Sequence, residues 1–248
     1  MRFLSIGKGA VDLFFPADCL LCGSPLEPLN RSFICSTCWQ SIGWLPISCC
    51  VKCGSPLPFE TTRELISPRL CLNCQKKPPS FNRLFTPTVY KGTMAKIIKL
   101  FKYNHKRGII RGLSLIINDY LDRFNFALLG LDAVVPVPLH PVRFRERGFN
   151  QAQDIAFVIG KHLNVEVWKN YLVRVKYTRA QTRLKKEERQ RNIKDAFLVK
   201  EKGKGKGKTI LLVDDVYTTG ATLNEASKKI RQDGAEVFAF TLARTLEV

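Results

Sequence analysis

Two groups of residues in this chain have types and spacings suited to chemistry. The first is a set of four Cys-x-x-Cys pairs: Cys19 with Cys22, Cys35 with Cys38, Cys50 with Cys53, and Cys71 with Cys74. Twelve residues separate the first two pairs and seventeen the last two. Four thiolates at tetrahedral geometry satisfy one zinc ion and leave no open position, so the spacing predicts two structural sites in sequence order rather than a catalytic metal. Gly23 and Gly54 follow the leading pairs; glycine there lets the chain turn tightly while backbone N–H groups point at sulfur. Cys49 is left over, a spare thiol beside the second site or a competitor of Cys50. The second group is the run from Ile210 to Thr222, Ile-Leu-Leu-Val-Asp-Asp-Val-Tyr-Thr-Thr-Gly-Ala-Thr. An apolar strand delivers Asp214 and Asp215 at its carboxyl edge, where open α/β sheets bind ligands. Thr218, Thr219, Gly220, Ala221 and Thr222 then turn into a helix whose amides and dipole suit a phosphate. The two acids would repel that phosphate; their targets are sugar hydroxyls or a hydrated Mg²⁺. A purely structural acid pair is the plainer alternative. The Gly-Lys-Ser/Thr of a P-loop is absent.

These groups need elements to hold them. Met94, Ile97, Ile98 and Phe101 are spaced as one face of a helix, with Lys96, Lys99 and Lys102 read as its basic outer face. Ile109, Leu113, Ile116, Ile117 and Tyr120 suggest a second helix, and Ala152 to Leu163 a third. Ala133 to Pro138, Ile210 to Val213 and Val237 to Leu242 are short apolar runs of the kind found in central parallel strands. A helix opens at Thr222 and ends at Gly234. Strand and helix alternate, which predicts an open, mostly parallel α/β sheet with flanking helices. The first eighty residues are instead rich in Cys, Pro and Gly, and Lys76–Ser80 reads as a linker. The expected division is residues 1–80, a double zinc ribbon with a short N-terminal helix around Phe3–Phe14, and residues 81–248, the α/β unit. The alternating Lys-Gly tract 202–208 is expected to be a mobile, solvated loop.

Length and charge narrow the classes. At 248 residues, with 45% hydrophobic and 25% charged residues, the chain is neither disordered nor a multi-span membrane protein. Lys plus Arg exceed acids by 40 − 21 = 19, so polyanions are attracted before any specific contact forms. That points to nucleic acid, nucleotide or polyphosphate partners. Cysteines confined to residues 19–74 in metal spacing suit a reducing compartment, so a cytosolic chain is expected. The N-terminal helix packs on the ribbons or rests on a membrane surface; no run of 18 uncharged apolar residues exists to span one. The ribbons themselves either dock on the α/β unit or touch nucleic acid.

The run 210–222 resembles the phosphoribosyl-pyrophosphate loop of type I phosphoribosyltransferases. The order of parts extends the likeness: four Cys pairs, then Arg147-Gly148-Phe149-Asn150-Gln151 after a strand, then Thr178-Arg179-Ala180-Gln181 and Arg189-x-x-Asn192, then the acidic loop. Together they resemble the ComF family over nearly the whole chain. The resemblance implies phosphoribosyl pyrophosphate, or a related phosphosugar, and Mg²⁺ as ligands, beside two structural Zn²⁺. Asp214 and Asp215 would be the catalytic acids on the ribose hydroxyls, and Thr218–Thr222 the 5′-phosphate cradle. The loop after Pro138, with Arg143, Arg145 and Arg147, would face pyrophosphate. Lys176–Asn192 would be a mobile hood bringing Arg179, Gln181 and Arg189 to it. A solvated basic loop is the alternative for that segment, which holds seven Lys or Arg between 176 and 191. His140 is a general base or a plain loop residue. The resemblance implies cytosolic handling of single-stranded DNA taken up in transformation, with a competence helicase or other DNA-processing proteins as partners. A metabolic phosphoribosyltransferase, and a non-catalytic sensor of the sugar, are the alternatives.

Overall fold

The structure is a computed structural model describing residues 18–27, 33–46, 48–57, 69–103, 108–177 and 192–246. The N-terminal helix expected around Phe3–Phe14 lies outside the described residues. So do Arg179, Gln181 and Arg189.

Within the described residues the helices are α1 (Ser36–Gln40), α2 (Leu72–Lys76), α3 (Gly92–Tyr103), α4 (Ile109–Arg123), α5 (Pro141–Arg147), α6 (Gln151–Leu163) and α7 (Ala221–Gln232). The strands are β1 (Leu84–Phe85), β2 (Thr88–Val89), β3 (Ala133–Pro136), β4 (Glu166–Val167), β5 (Leu172–Arg174), β6 (Phe197–Val199), β7 (Thr209–Tyr217) and β8 (Glu236–Arg244). The main sheet runs β1-β8-β7-β3-β4, every pair parallel, and β2 continues the β1 edge along β8.

The apolar run of β7 is buried on both faces, as a central parallel strand requires. Leu211 and Val213 face α3, α4 and α6, packing with Met94, Ile98, Leu113 and Ile155. Ile210 and Leu212 face the other way, toward Leu223, Ala226 and Ile230 of α7. The alternation follows from the two-residue period of a strand. The N-terminal segment straddles these two faces. Cys19, Leu26, Ile34 and Ile42 join the first core; Cys50, Cys53 and Cys74 join the second. Trp39 lies so close to Gly112 in α4 that a side-chain carbon there would overlap the indole. Trp44 bridges to Thr88, Leu45 N donates to Pro87 O (2.9 Å) and Val89 N to Gly43 O (2.9 Å), so the ribbon segment hydrogen-bonds to the sheet's edge.

Two expectations are sharpened here. The Lys-Gly tract is mostly exposed, as expected of a solvated loop, and is built as a series of tight turns tied to Asp233, whose carboxylate accepts from Gly203 N (2.6 Å), Gly205 N (2.8 Å) and the Tyr171 hydroxyl (2.7 Å). Those bonds pull Asp233 below the ordinary carboxylate range against a burial effect that works the other way. The glycines bring their amides to one carboxylate, an arrangement composition alone conceals. And the segment after Pro138 is helical: Arg143, Arg145 and Arg147 ride on α5, opened by Pro141 and capped by His140, whose Nδ1 accepts from Val142 N (3.3 Å).

Candidate functional site

β7 ends in the two acids, and their surroundings explain their chemistry. Asp214 Oδ1 accepts from Asp215 N (2.8 Å). Asp215 is buried and its Oδ2 pairs with Lys102 Nζ at 2.7 Å. Burial of its carboxyl, then the adjacent Asp215 charge, push Asp214 up to about 7. Burial pulls the Lys102 ammonium down, but Asp215 outweighs it and the net shift is upward. Lys102 is thus turned inward, unlike the exposed Lys96 and Lys99. The sequence held a signal for this: Lys102 follows Met94 and Ile98 at steps of four, on the buried stripe.

The Arg-Gly-Phe-Asn-Gln element holds this pair in place. Phe149 packs on Phe101 with ring centroids 5.8 Å apart. Asn150 caps α6, its Oδ1 accepting from Ala152 N (3.1 Å), while its Nδ2 donates to Val137 O (3.0 Å). Gln151 Nε2 donates to the carbonyls of Phe101 (3.4 Å) and Lys102 (3.5 Å) at the end of α3. Arg147 Nη1 in turn donates to Gln151 Oε1 (3.1 Å). The motif therefore fixes the backbone that carries Lys102. Arg174, from β5, is pulled down by burial; the Asp214 charge acts upward on it, and Arg143 and Arg147 downward. Four cations (Lys102, Arg143, Arg147 and Arg174) thus act on the two acids or on one another. Arg145 is exposed. Sequence reasoning missed Lys102 and Arg174.

Beyond the acids the chain turns at Thr218–Gly220 into α7. Gly220 has φ +75°, and a side-chain carbon there would collide with the Tyr217 phenol. The left-handed backbone and the close approach both demand glycine. Ala221 N donates to Thr219 Oγ1 (3.5 Å), and Asn224 N to Gly220 O (2.8 Å). The first amides of a helix have no partner within it, so this turn presents donors and a positive dipole end just beyond two carboxylates. A cleft of about 590 Å³ opens beside it, between the turn, α7 and the second cysteine group, with Lys76, Lys77, Lys194 and Lys228 on its walls. β5 and β6 pair antiparallel and bracket the segment expected to be a hood.

The eight cysteines of the four pairs form two clusters: Cys19, Cys22, Cys35 and Cys38, and Cys50, Cys53, Cys71 and Cys74, sulfurs within 4.8 Å of one another in each. The order is that of the sequence, and Cys49 is outside both. Sulfur separations include 3.6 Å for Cys22–Cys35 and Cys53–Cys71, and 3.8 Å for Cys19–Cys38. Tetrahedral zinc–sulfur bonds of about 2.3 Å put sulfurs about 3.8 Å apart, so both clusters fit zinc. Their charges agree. Cys50 is drawn down to about 4 by the neighbouring Cys53 thiol, and Cys53 is pushed far up by Cys50. Thiols this close share protons unless a divalent cation lets all four ionise. Gly23 and Gly54 have positive φ, +74° and +67°, and stand at the turns read for them from the sequence.

The paired carboxylates are of the donor type that a hard cation such as Mg²⁺ takes, with Asp215 already paired to Lys102.

Comparison with known proteins places these parts. The double zinc ribbon domain family matches residues 10–75, and the phosphoribosyl transferase domain family residues 147–245. Competence protein F of Haemophilus influenzae is 32% identical over 228 residues, covering 90% of this chain and 94% of that protein. The DNA utilization protein YhgH of Escherichia coli K12 is 31% identical, covering 94% and 100%. Competence protein ComFC of Bacillus subtilis is 27% identical, covering 92% and 95%. Among solved structures, a purine phosphoribosyltransferase from Pyrococcus horikoshii is 15% identical with a TM-score of 0.35, over 54% of this chain and 82% of that one. Two four-cysteine clusters, a mostly parallel sheet ending in paired acids, and relatives alike over nine-tenths of the chain converge: the chain belongs to the ComF family of competence proteins, a double zinc ribbon joined to a phosphoribosyltransferase-type fold.

Proposed function

We propose that this chain binds phosphoribosyl pyrophosphate with Mg²⁺ at the end of β7 and acts in the cytoplasmic handling of DNA taken up by the cell. The carrying observation is the succession of Asp214, Asp215 and the Thr218–Gly220 turn at the start of α7, with Lys102, Arg147 and Arg174 around the acids. Asp214 and Asp215 accept the ribose hydroxyls. Thr218, Thr219, Gly220, Ala221 and Thr222 cradle the 5′-phosphate. Arg143, Arg145 and Arg147, with Arg179, Gln181 and Arg189 of the hood, share the pyrophosphate. Mg²⁺, when bound, supplies positive charge at the departing pyrophosphate. Basic groups already facing the acids do the same with no reorganisation. The DNA role rests on the names of the relatives and on the +19 charge.

Calorimetric titration of the full chain with phosphoribosyl pyrophosphate and Mg²⁺ tests the ligand. Binding should be lost in Asp215→Asn and retained in Lys202→Ala, which lies on the far tract. No heat with the natural protein would end the reading. Pyrophosphate release across a panel of bases, amines and nucleic acids then separates an enzyme from a sensor.

A further inference from the structure

We propose that Arg244 is a positioning residue that couples the second cysteine cluster to the phosphate turn, so that the shape of the turn depends on the second zinc site and not on the first. This deepens the reading above and rests on it for the identity of the ligand.

Arg244 closes β8, is 4% exposed, and stands opposite Tyr217 in the β7–β8 register. Its side chain points back to the ribbon. Nη1 donates to the Cys53 carbonyl and lies 3.7 Å from Cys53 Sγ. Nε donates to Thr245 O (3.1 Å), which fixes the guanidinium plane. Four thiolates on one zinc carry a net charge of about −2, and a guanidinium with donors to spare stabilises such a centre where an ammonium could not also span two acceptors. The same guanidinium sits 5.4 Å from the centre of the Tyr217 ring. Phe81 holds that ring edge-on at 6.5 Å, and Thr245 N donates to Tyr217 O (2.9 Å). Tyr217 in turn lies directly under Gly220, with no room for a side-chain carbon between them. Cys53, Arg244, Tyr217 and Gly220 therefore form one continuous buried contact from a metal ligand to the apex of the phosphate turn. Among the described residues the first cluster packs elsewhere: Cys19 lies in the other core, with the face that holds Trp39 against α4. The two clusters provide an internal control.

The test uses the full, zinc-loaded chain and hydrogen exchange read peptide by peptide, which needs no ligand. Arg244→Lys keeps the charge and removes the fork; Tyr217→Leu breaks the next link while keeping Arg244 and all eight cysteine ligands. Both should keep two zinc ions per chain, speed exchange over 217–222 by about tenfold, and leave α4 amides at their natural rate. Cys71→Ser should accelerate the same turn, and Cys35→Ser should not. Binding of phosphoribosyl pyrophosphate with Mg²⁺ should weaken by about tenfold in Arg244→Lys. Exchange of the turn within about twofold of the natural protein in both Arg244→Lys and Tyr217→Leu, or acceleration in Cys35→Ser equal to that in Cys71→Ser, overturns the coupling. If the natural protein binds no phosphosugar yet the exchange pattern appears, the coupling stands and the ligand assignment falls.

Discussion

Lys102→Met is the most informative single perturbation of the site. The Lys102–Asp215 pair has 20% and 12% side-chain exposure and a 2.7 Å separation. At an effective dielectric of about 20, that distance corresponds to about 6 kcal/mol of gross attraction, most of which repays desolvation. Removing one partner of a buried pair costs about 3–5 kcal/mol, and the residual exposure puts this case near the bottom, about 3 kcal/mol. For a chain of this size the thermal midpoint should fall by about 6–12 °C. Lys102→Met strands the buried Asp215 carboxylate without its neutralising partner. Adding Asp215→Asn should restore much of the loss, because the stranded charge is gone. The assay is thermal unfolding of zinc-saturated protein at pH 8, with both single variants and the double. A midpoint within about 2 °C of the natural protein at pH 8, or a double variant no better than the sum of the singles, refutes the inward-facing ion pair.

Gly220→Ala forces an L-residue to a positive φ and drives a carbon into Tyr217; a loss of about 2–3 kcal/mol in chemical denaturation, with phosphosugar binding abolished, is expected. Asp214 sits at about 7 when folded, above its unfolded value near 4, so it favours folding at low pH and loses that contribution as pH rises from about 4 to 7. Asp214→Asn should therefore flatten the pH–stability curve in that window and stabilise the ligand-free protein while abolishing sugar binding; a steeper curve counts against it. Single-stranded DNA binding, followed by gel shift from ~50 to ~200 mM salt, should weaken by orders of magnitude, and survive Asp214→Asn.

What the residues announced in advance was local. The stripes Met94–Phe101 and Ile109–Tyr120, the apolar runs of β3, β7 and β8, and the cysteine spacing each state their structure within one or two turns of chain. The acid-to-helix bend is likewise contiguous, so Asp214 to Thr222 could be named as a unit. What stayed hidden was long-range. Lys102 meets Asp215 across more than a hundred residues, and only the step of four from Ile98 hinted at it. Arg244 meets Cys53 across 191 residues with no local pattern. The Lys-Gly tract looked featureless because its order is conferred by Asp233, 28 residues beyond Gly205. Charge counted along a chain does not tell which ammonium turns inward; packing decides that.

The bonding of Gly43, Leu45 and Trp44 to the sheet edge at Pro87–Val89 bears on how the protein can be taken apart. Removing everything before residue 81 strips β2 of these partners and leaves unpaired amides and carbonyls along a sheet margin. It also uncovers the Trp39 contact on α4 and the packing over Tyr217. Such a fragment invites strand-to-strand aggregation in the test tube. The same continuity bears on ancestry: a metal-binding half sewn into its neighbour's sheet cannot be swapped freely between relatives, so the two halves are expected to have diverged in step.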